Sequence, residues 1–133
     1  MEYRHPWREG VLFIKEKNTD VFLINLNKTE KDFSPSTMYE DYAINDHMFH
    51  WQSQNQTSDA SETGRRYIEH DSRGTEVLLF ARVHKDANGI PLPYIFLGKG
   101  HYVSHEGSKP MSIIWEMENK MPLSITAYSP VGN

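Results

Sequence analysis

The side chains best suited to chemistry lie in one run, Phe-His-Trp-Gln-Ser-Gln at residues 49–54, and an uncharged polar stretch follows at residues 55–58. The run combines aromatic rings, on which a planar group can stack, with imidazole, amide and hydroxyl groups that donate and accept hydrogen bonds. Base edges, amides and sugars are recognised by that combination. Because it does not resemble a nucleophile beside its base, we expect recognition and not catalysis.

Strand periodicity divides this run between two faces, since successive side chains of a strand point to opposite sides. His50, Gln52 and Gln54 then share an outward face, while the intervening residues point inward. Two interpretations remain open for Trp51, which either fills the core or offers its ring to a base. In our hypothesis, His50, Gln52 and Gln54 contact base edges.

Two further groups flank predicted elements. Tyr39 and Tyr42 surround an acidic pair at residues 40–41. Each tyrosine can stack on a base or, as the alternative, pin its loop to the core. Arg65 and Arg66 lie at the start of a predicted short helix, where they can contact phosphate or form an ordinary charged surface.

A third group surrounds the glycines at positions 98, 100 and 107. Glycine lets the backbone approach a ligand closely, so this segment can hold phosphates or form the mouth of a pocket. Turns at a barrel corner are the alternative. Its candidate side chains are Lys99, His101, Ser104, His105, Ser108 and Lys109. We assign Lys99 and Lys109, together with the two arginines, to phosphate contacts.

Seven histidines raise the question of a metal. His47 and His50 point to opposite faces of a strand, and His101 and His105 are roughly 13 Å apart in an extended chain. Neither pair chelates without an intervening turn, and neighbours such as Ser104 and His105 do not face each other as a catalytic pair. We therefore expect no catalytic residues, no metal site and no cofactor.

The elements that position these residues are short. Apolar runs at residues 11–14 and 20–26, with turn residues between them, predict a hairpin. Residues 28–46 predict a loop with a helical turn at residues 36–40. Residues 47–54 predict a strand, and Ser61 or Thr63 can cap a short helix through residues 65–69.

The second half of the chain predicts strands at residues 75–83, 94–97, 112–117 and 123–128. Gly98 and Gly100 end the second of these, and residues 101–104 continue it after a bend. No adequate crossover helices separate the strands, so parallel βαβ organisation is not expected. The prediction is a single mainly β domain of the α+β kind over residues 1–133, a mostly antiparallel barrel or pseudo-barrel with one or two short helices.

Composition narrows the function classes. The 133 residues carry a net charge of −4, which argues against nonspecific nucleic-acid binding but leaves a local basic patch possible. The absence of cysteine excludes disulfides, thiolate zinc sites and cysteine catalysis. No apolar run reaches ~20 residues, so we expect a soluble cytoplasmic protein without a membrane partner.

Five segments together resemble one family, the domain at the carboxyl end of bacterial superfamily 2 helicases that also carry a phospholipase-D-type nuclease. The segments are residues 28–35, 39–44, 49–54, 63–68 and 102–108, within a resemblance that covers residues 7–122. It implies phage defence or restriction, in which appended small β-barrels often recognise DNA bases, including modified ones. It also implies that the domain is the carboxyl-terminal module of a larger protein.

The resulting hypothesis is sequence- or modification-dependent DNA recognition that targets a helicase–nuclease. In it, Gln52→Ala weakens specific binding by ~1–3 kcal/mol, and Arg65→Ala flattens the salt dependence. The alternative is a protein-interaction module that docks on the helicase or nuclease without contacting DNA. An apolar surface patch would favour that alternative.

Overall fold

The computed structural model of the protein describes residues 10–26, 41–84 and 86–127. Its main element is a mixed sheet of seven strands in the order β1-β2-β5-β8-β9-β4-β3. These strands are β1 Val11–Ile14, β2 Thr19–Asn25, β3 Tyr42–Ala43, β4 Met48–Gln52, β5 Glu76–Arg82, β8 Ile95–Glu106 and β9 Ser112–Met117. A small separate hairpin is formed by β6 Asp86–Ala87 and β7 Ile90–Pro91.

The predicted mainly β fold class is confirmed, but the prediction of a closed barrel is wrong. The sheet formed by the described residues stays open, with β1 and β3 as its two edges. These edge strands have only four and two residues, so each offers few backbone groups for closing the sheet.

The strand pairs are mostly antiparallel, as predicted, and the β1–β2 hairpin is confirmed. The pairing of β2 with β5 is parallel over seven residues, from Thr19–Glu76 to Asn25–Arg82. This parallel pair is the exception in a sheet whose other described pairs are antiparallel. The described part of their long connection includes β3, β4 and the helices α1 Glu62–Ile68 and α2 His70–Arg73.

Strand β8 joins the two halves of the sheet. It continues through Gly98 and Gly100, where the sequence predicted an end and then a continuation after a bend, and its register shifts on both sides of this point. Its first part pairs with β5 and its second with β9. We call β1, β2, β5 and residues 95–99 the first half-sheet, and residues 100–106, β9, β4 and β3 the second half-sheet.

Aromatic rings fill the space between the half-sheets. Trp51 of β4 stacks on Phe22 of β2 at 4.0 Å, and Tyr67 of α1 meets both rings edge-on at 5.5 Å. Trp115 of β9 also packs against Phe22, at 5.6 Å. The predicted alternation holds in β5 and β9, whose inward residues are buried. These contacts bury the aromatic surface that an unclosed sheet would otherwise expose.

Local sequence explains the short helices. The side chain of Ser61 caps α1 as predicted, accepting a hydrogen bond from the N–H of Gly64. The strand predicted at residues 123–128 is wrong, because α3 Leu123–Thr126 forms a single helical turn there that buries Ile125. Pro122 precedes that turn with a fixed φ, which favours helix initiation. The predicted helical turn at residues 36–40 lies outside the described residues.

No helix in the described ranges is long and apolar enough to cross a membrane.

Candidate nucleic-acid interface

The outer surface of the second half-sheet brings together four of the predicted contact residues. Cross-strand pairing aligns Tyr42 with His50, His50 with Ile114, and Ile114 with Ser104. A second row runs from Gln52 through Ser112 to Glu106. We call this surface, defined by Tyr42, His50, Gln52 and Ser104, the polar face.

The backbone of β4 creates this face. Its burial alternates along the strand, so Phe49 and Trp51 are buried and His50 and Gln52 are half-buried on the other side, as predicted. The rings of Tyr42 and His50 stack at 4.7 Å with 12° between their planes. Asp41 accepts a hydrogen bond from the backbone N–H of Gln52 at 2.9 Å, which fixes the start of β3 against the end of β4.

The structure decides between the two interpretations of Trp51. Only 4% of its surface is exposed, and its ring is enclosed by Phe22, Tyr67 and Trp115. It belongs to the core, so it cannot offer its face to a base in this fold. The other predicted stacking residue, Tyr39, lies outside the described residues.

Gln54 does not share the polar face. Strand β4 ends at Gln52, and the chain then turns so that the amide oxygen of Gln54 accepts hydrogen bonds from Tyr67 and Thr57, each at 3.1 Å. Burial raises the pKa of the Tyr67 hydroxyl, which therefore stays protonated and donates to Gln54. Gln54 satisfies a core tyrosine, because a buried hydroxyl without a partner would be costly.

The two arginines have partners within the protein. Arg66 makes two hydrogen bonds of 2.8 Å to the fully buried carboxylate of Asp20, and its guanidinium lies 4.0 Å above the ring of Phe13. Arg65 pairs with Glu69 one turn along α1. Arg66 therefore holds α1 against β2, and Arg65 forms an exposed helix pair.

Lys99 and His101 lie in a cavity of about 210 Å³ at the bend of β8. Lys99 pairs with Glu76 at 3.0 Å, and this hydrogen bond raises the pKa of the lysine. The two ring nitrogens of His101 contact Glu118 at 2.6 Å and Asp71 at 3.1 Å. The hydrogen bond to Glu118, followed by that to Asp71, raises the pKa of His101 although partial burial opposes the rise.

His70, Asp71 and His101 present metal-ligating atoms within 4.8 Å of one another. The donor set does not fit a metal, because both nitrogens of His70 are engaged. Nδ1 lies 3.0 Å from the carbonyl of Thr75, to which it donates, and Nε2 accepts the backbone N–H of Tyr102 at 3.0 Å. A metal bound to Nδ1 would move the ring proton to Nε2. Nε2–H would then face the N–H of Tyr102, and two donors would oppose each other. Sequence reasoning missed His70, since its role depends on strands distant in the chain.

His105 and Lys109 lie at another place, beside the start of α1. The hydroxyl of Tyr102 lies 2.6 Å from Nδ1 of His105, whose Nε2 is 3.4 Å from Asp59. Hydrogen bonds from His105 and Ser108 lower the pKa of the Asp59 carboxyl. The backbone N–H of Lys109 donates to Thr57 at 2.8 Å. Asp59 was not predicted; it brings a negative charge to a group of residues that was expected to bind phosphate.

The structure thus places some of the predicted residues on the polar face, some in the cavity around His101 and some in the group around His105. Trp51 and Gln54 serve the core instead, and the two arginines pair within the protein. The chain belongs to the family described as Domain of unknown function (DUF3427), which it matches over residues 2–128. No curated protein matches the chain. The association with helicase and nuclease domains stays a prediction.

Proposed function

We propose that this domain recognises duplex DNA through the polar face, and that it directs an attached helicase–nuclease to that DNA. The observation that carries the proposal is the cross-strand alignment of Tyr42, His50 and Ser104, with Gln52 in the adjacent row. Four side chains chosen from sequence for hydrogen bonding and stacking share one surface. His50 and Gln52 lie on β4 and Ser104 lies on β8 of the same sheet.

The position of the polar face suits groove recognition. Strands β3 and β4 lie at one edge of the sheet, and β4 also pairs with β9. The major groove of B-DNA is about 12 Å wide and admits the edge of a β-structure. The amide of Gln52 can pair in two places with adenine, and the His50 ring and the Ser104 hydroxyl can each contact a base edge. The hydrogen bond from the backbone N–H of Gln52 to Asp41 fixes the position of this residue at the end of β4.

Charge sets the expected character of the complex. The net charge is −4, and Arg65, Arg66 and Lys99 are paired with carboxylates. A phosphate must compete with those carboxylates, so few counterions are released on binding. Each neutralised phosphate contributes about −0.9 to the slope of log affinity against log salt concentration. We therefore expect a shallow slope, between zero and about −2.

A fluorescence-polarisation titration tests the proposal. The probes are matched unmodified, methylated, hydroxymethylated and glucosylated duplexes and a single strand, each at low and moderate salt. We expect one duplex to bind selectively, and its binding to persist when salt is raised. Equal binding of all probes that disappears with salt, or no binding at low salt, would refute base recognition.

A second candidate function rests on a different surface. The outer side of the first half-sheet carries apolar side chains in two cross-strand rows: Leu12, Val21 and Leu78, and Leu23, Phe80 and Phe96. Most are half-buried, and 55% of Phe96 is exposed. Arg82, hydrogen-bonded to Asn25 and to the carbonyl of Leu92, lies at one border. An apolar centre with a polar border is typical of a protein interface and favours docking on a helicase or nuclease domain.

Calorimetric titration of purified helicase and nuclease domains against the wild type and Phe96→Asp tests docking. Ile90→Asp is the matched control, because Ile90 is 68% exposed on the separate β6–β7 hairpin. If the domain docks through this surface, the wild type and the Ile90→Asp variant should bind the partner domain. The Phe96→Asp variant should not bind it. Equal affinities for both variants, or no heat with the wild type, would argue against it.

A further inference from the structure

His101 connects three elements at the bend of β8. It follows Gly100, where strand pairing changes from the first half-sheet to the second. Nδ1 faces the carboxylate of Asp71 on α2, at 3.1 Å from one oxygen and 3.3 Å from the other. Nε2 faces Glu118, which follows the end of β9, at 2.6 Å. We call this arrangement of Asp71, His101 and Glu118 the clasp.

The clasp needs a proton on both ring nitrogens. A neutral imidazole has one N–H, so it can donate to only one of the two carboxylates. Its other nitrogen would then direct a lone pair at a carboxylate oxygen, and that contact would be repulsive. Both contacts can be hydrogen bonds only when His101 is the imidazolium ion.

Other charged and titratable groups face the same place. His70 on α2 lies 5.8 Å from His101 between ring centroids. Glu76 on β5 and Lys99 on β8 neutralise each other across the cavity. Glu116 is aligned with His101 on β9. Carboxylates therefore outnumber cations around the ring, which favours its protonated form.

We propose that the clasp is a proton-dependent fastening that holds α2 and the end of β9 to the bend of β8, and that it opens when His101 loses a proton. Opening would loosen α2 from β8 where only one further polar contact joins them among the described residues, the bond from Tyr102 N–H to His70. This inference does not depend on DNA binding.

NMR titration of the histidine ring signals gives the first test. His101 should titrate above the ordinary value of about 6.5. Asp71→Asn and Glu118→Gln should each lower its midpoint by roughly one pH unit. Glu106→Gln is the matched control, because it removes an exposed carboxylate from the same strand without removing a contact to His101. A midpoint at or below the ordinary value, or equal effects of all three variants, would overturn the clasp.

Hydrogen exchange of the Tyr102 amide tests the opening itself. After correction for the intrinsic pH dependence of exchange, protection of this amide should fall several-fold as pH rises through the His101 midpoint. Amides of β1, which β2 and β5 separate from β8 in the order of the sheet, should keep their protection. In the Asp71→Asn, Glu118→Gln double variant, the change at Tyr102 should disappear. If protection at Tyr102 is constant while His101 titrates, the contacts of His101 do not hold α2 to β8, and the proposal fails.

Discussion

The rings of Phe22 and Trp51 stack 4.0 Å apart with 13° between their planes. Three other strands separate their strands, β2 and β4, in the order of the sheet. The contact shows that the sheet curls until its two halves face each other across the core. It brings the halves together without the backbone pairing that would close a barrel.

Trp51→Ala should therefore act on stability. Removing a buried indole leaves a cavity among Phe22, Tyr67 and Trp115, at a cost of about 3–5 kcal/mol. Urea unfolding monitored by circular dichroism gives the free energy of unfolding. Trp51→Phe keeps a ring in this place and should cost less. A stable Trp51→Ala protein that has lost only ligand binding would contradict the core assignment.

Arg66→Ala should also destabilise the fold. It leaves the carboxylate of Asp20 buried without its guanidinium partner, which costs about 3–5 kcal/mol. Arg65→Ala is the matched control from the same helix, because its exposed pair with Glu69 should contribute little to stability. Thermal and denaturant unfolding measure both. Equal stabilities, with DNA affinity lost only in Arg66→Ala, would restore Arg66 as a phosphate contact.

Two glycines should respond differently to alanine. A Cβ at Gly64 would lie 1.9 Å from the carbonyl oxygen of Ser58, so Gly64→Ala must displace backbone. We expect the free energy of unfolding to fall by about 3 kcal/mol or more. Gly74 has a positive φ but no atom within 4 Å of a built Cβ, so Gly74→Ala should cost about 1 kcal/mol. Chemical denaturation compares them, and a smaller loss for Gly64→Ala would contradict the close approach to Ser58.

The stability contributed by His101 should decrease with rising pH. The contacts to Glu118 and Asp71 raise its pKa in the folded state. The imidazolium therefore contributes its full stabilisation below the unfolded pKa of about 6.5, and this is lost as pH rises through the higher folded pKa. The difference in unfolding free energy between wild type and His101→Gln should be positive near pH 6 and vanish at alkaline pH. A difference that grows with pH would contradict the sign of the shift.

Local patterns were sufficient to predict much of the fold. Alternation placed Phe49 inward and His50 outward, and the capping role of Ser61 followed from residue type. The prediction failed where tertiary contacts decide. Gly98 does not end β8, since pairing passes from β5 to β9 at the bend.

The candidate site was less predictable for the same reason. Arg66 is 46 positions from Asp20 in sequence, so nothing local indicates that its charge is neutralised in the fold. Gln54 continues the alternation in sequence but follows the end of β4, where the chain turns toward Tyr67. Arg65, Arg66 and Lys99 thus each pair with a carboxylate, whereas the polar face with His50 and Gln52 did form.

The measurement that tests base recognition most directly is the affinity of wild type, Gln52→Ala and Gln56→Ala for the preferred duplex at one moderate salt concentration. Gln56 is exposed in the loop after β4, so its substitution removes the same chemical group from outside the polar face. Gln52→Ala should weaken binding by ~1–3 kcal/mol, because it removes a contact to a base edge, while Gln56→Ala should leave affinity unchanged. Equal affinity of all three folded proteins would contradict recognition through the polar face.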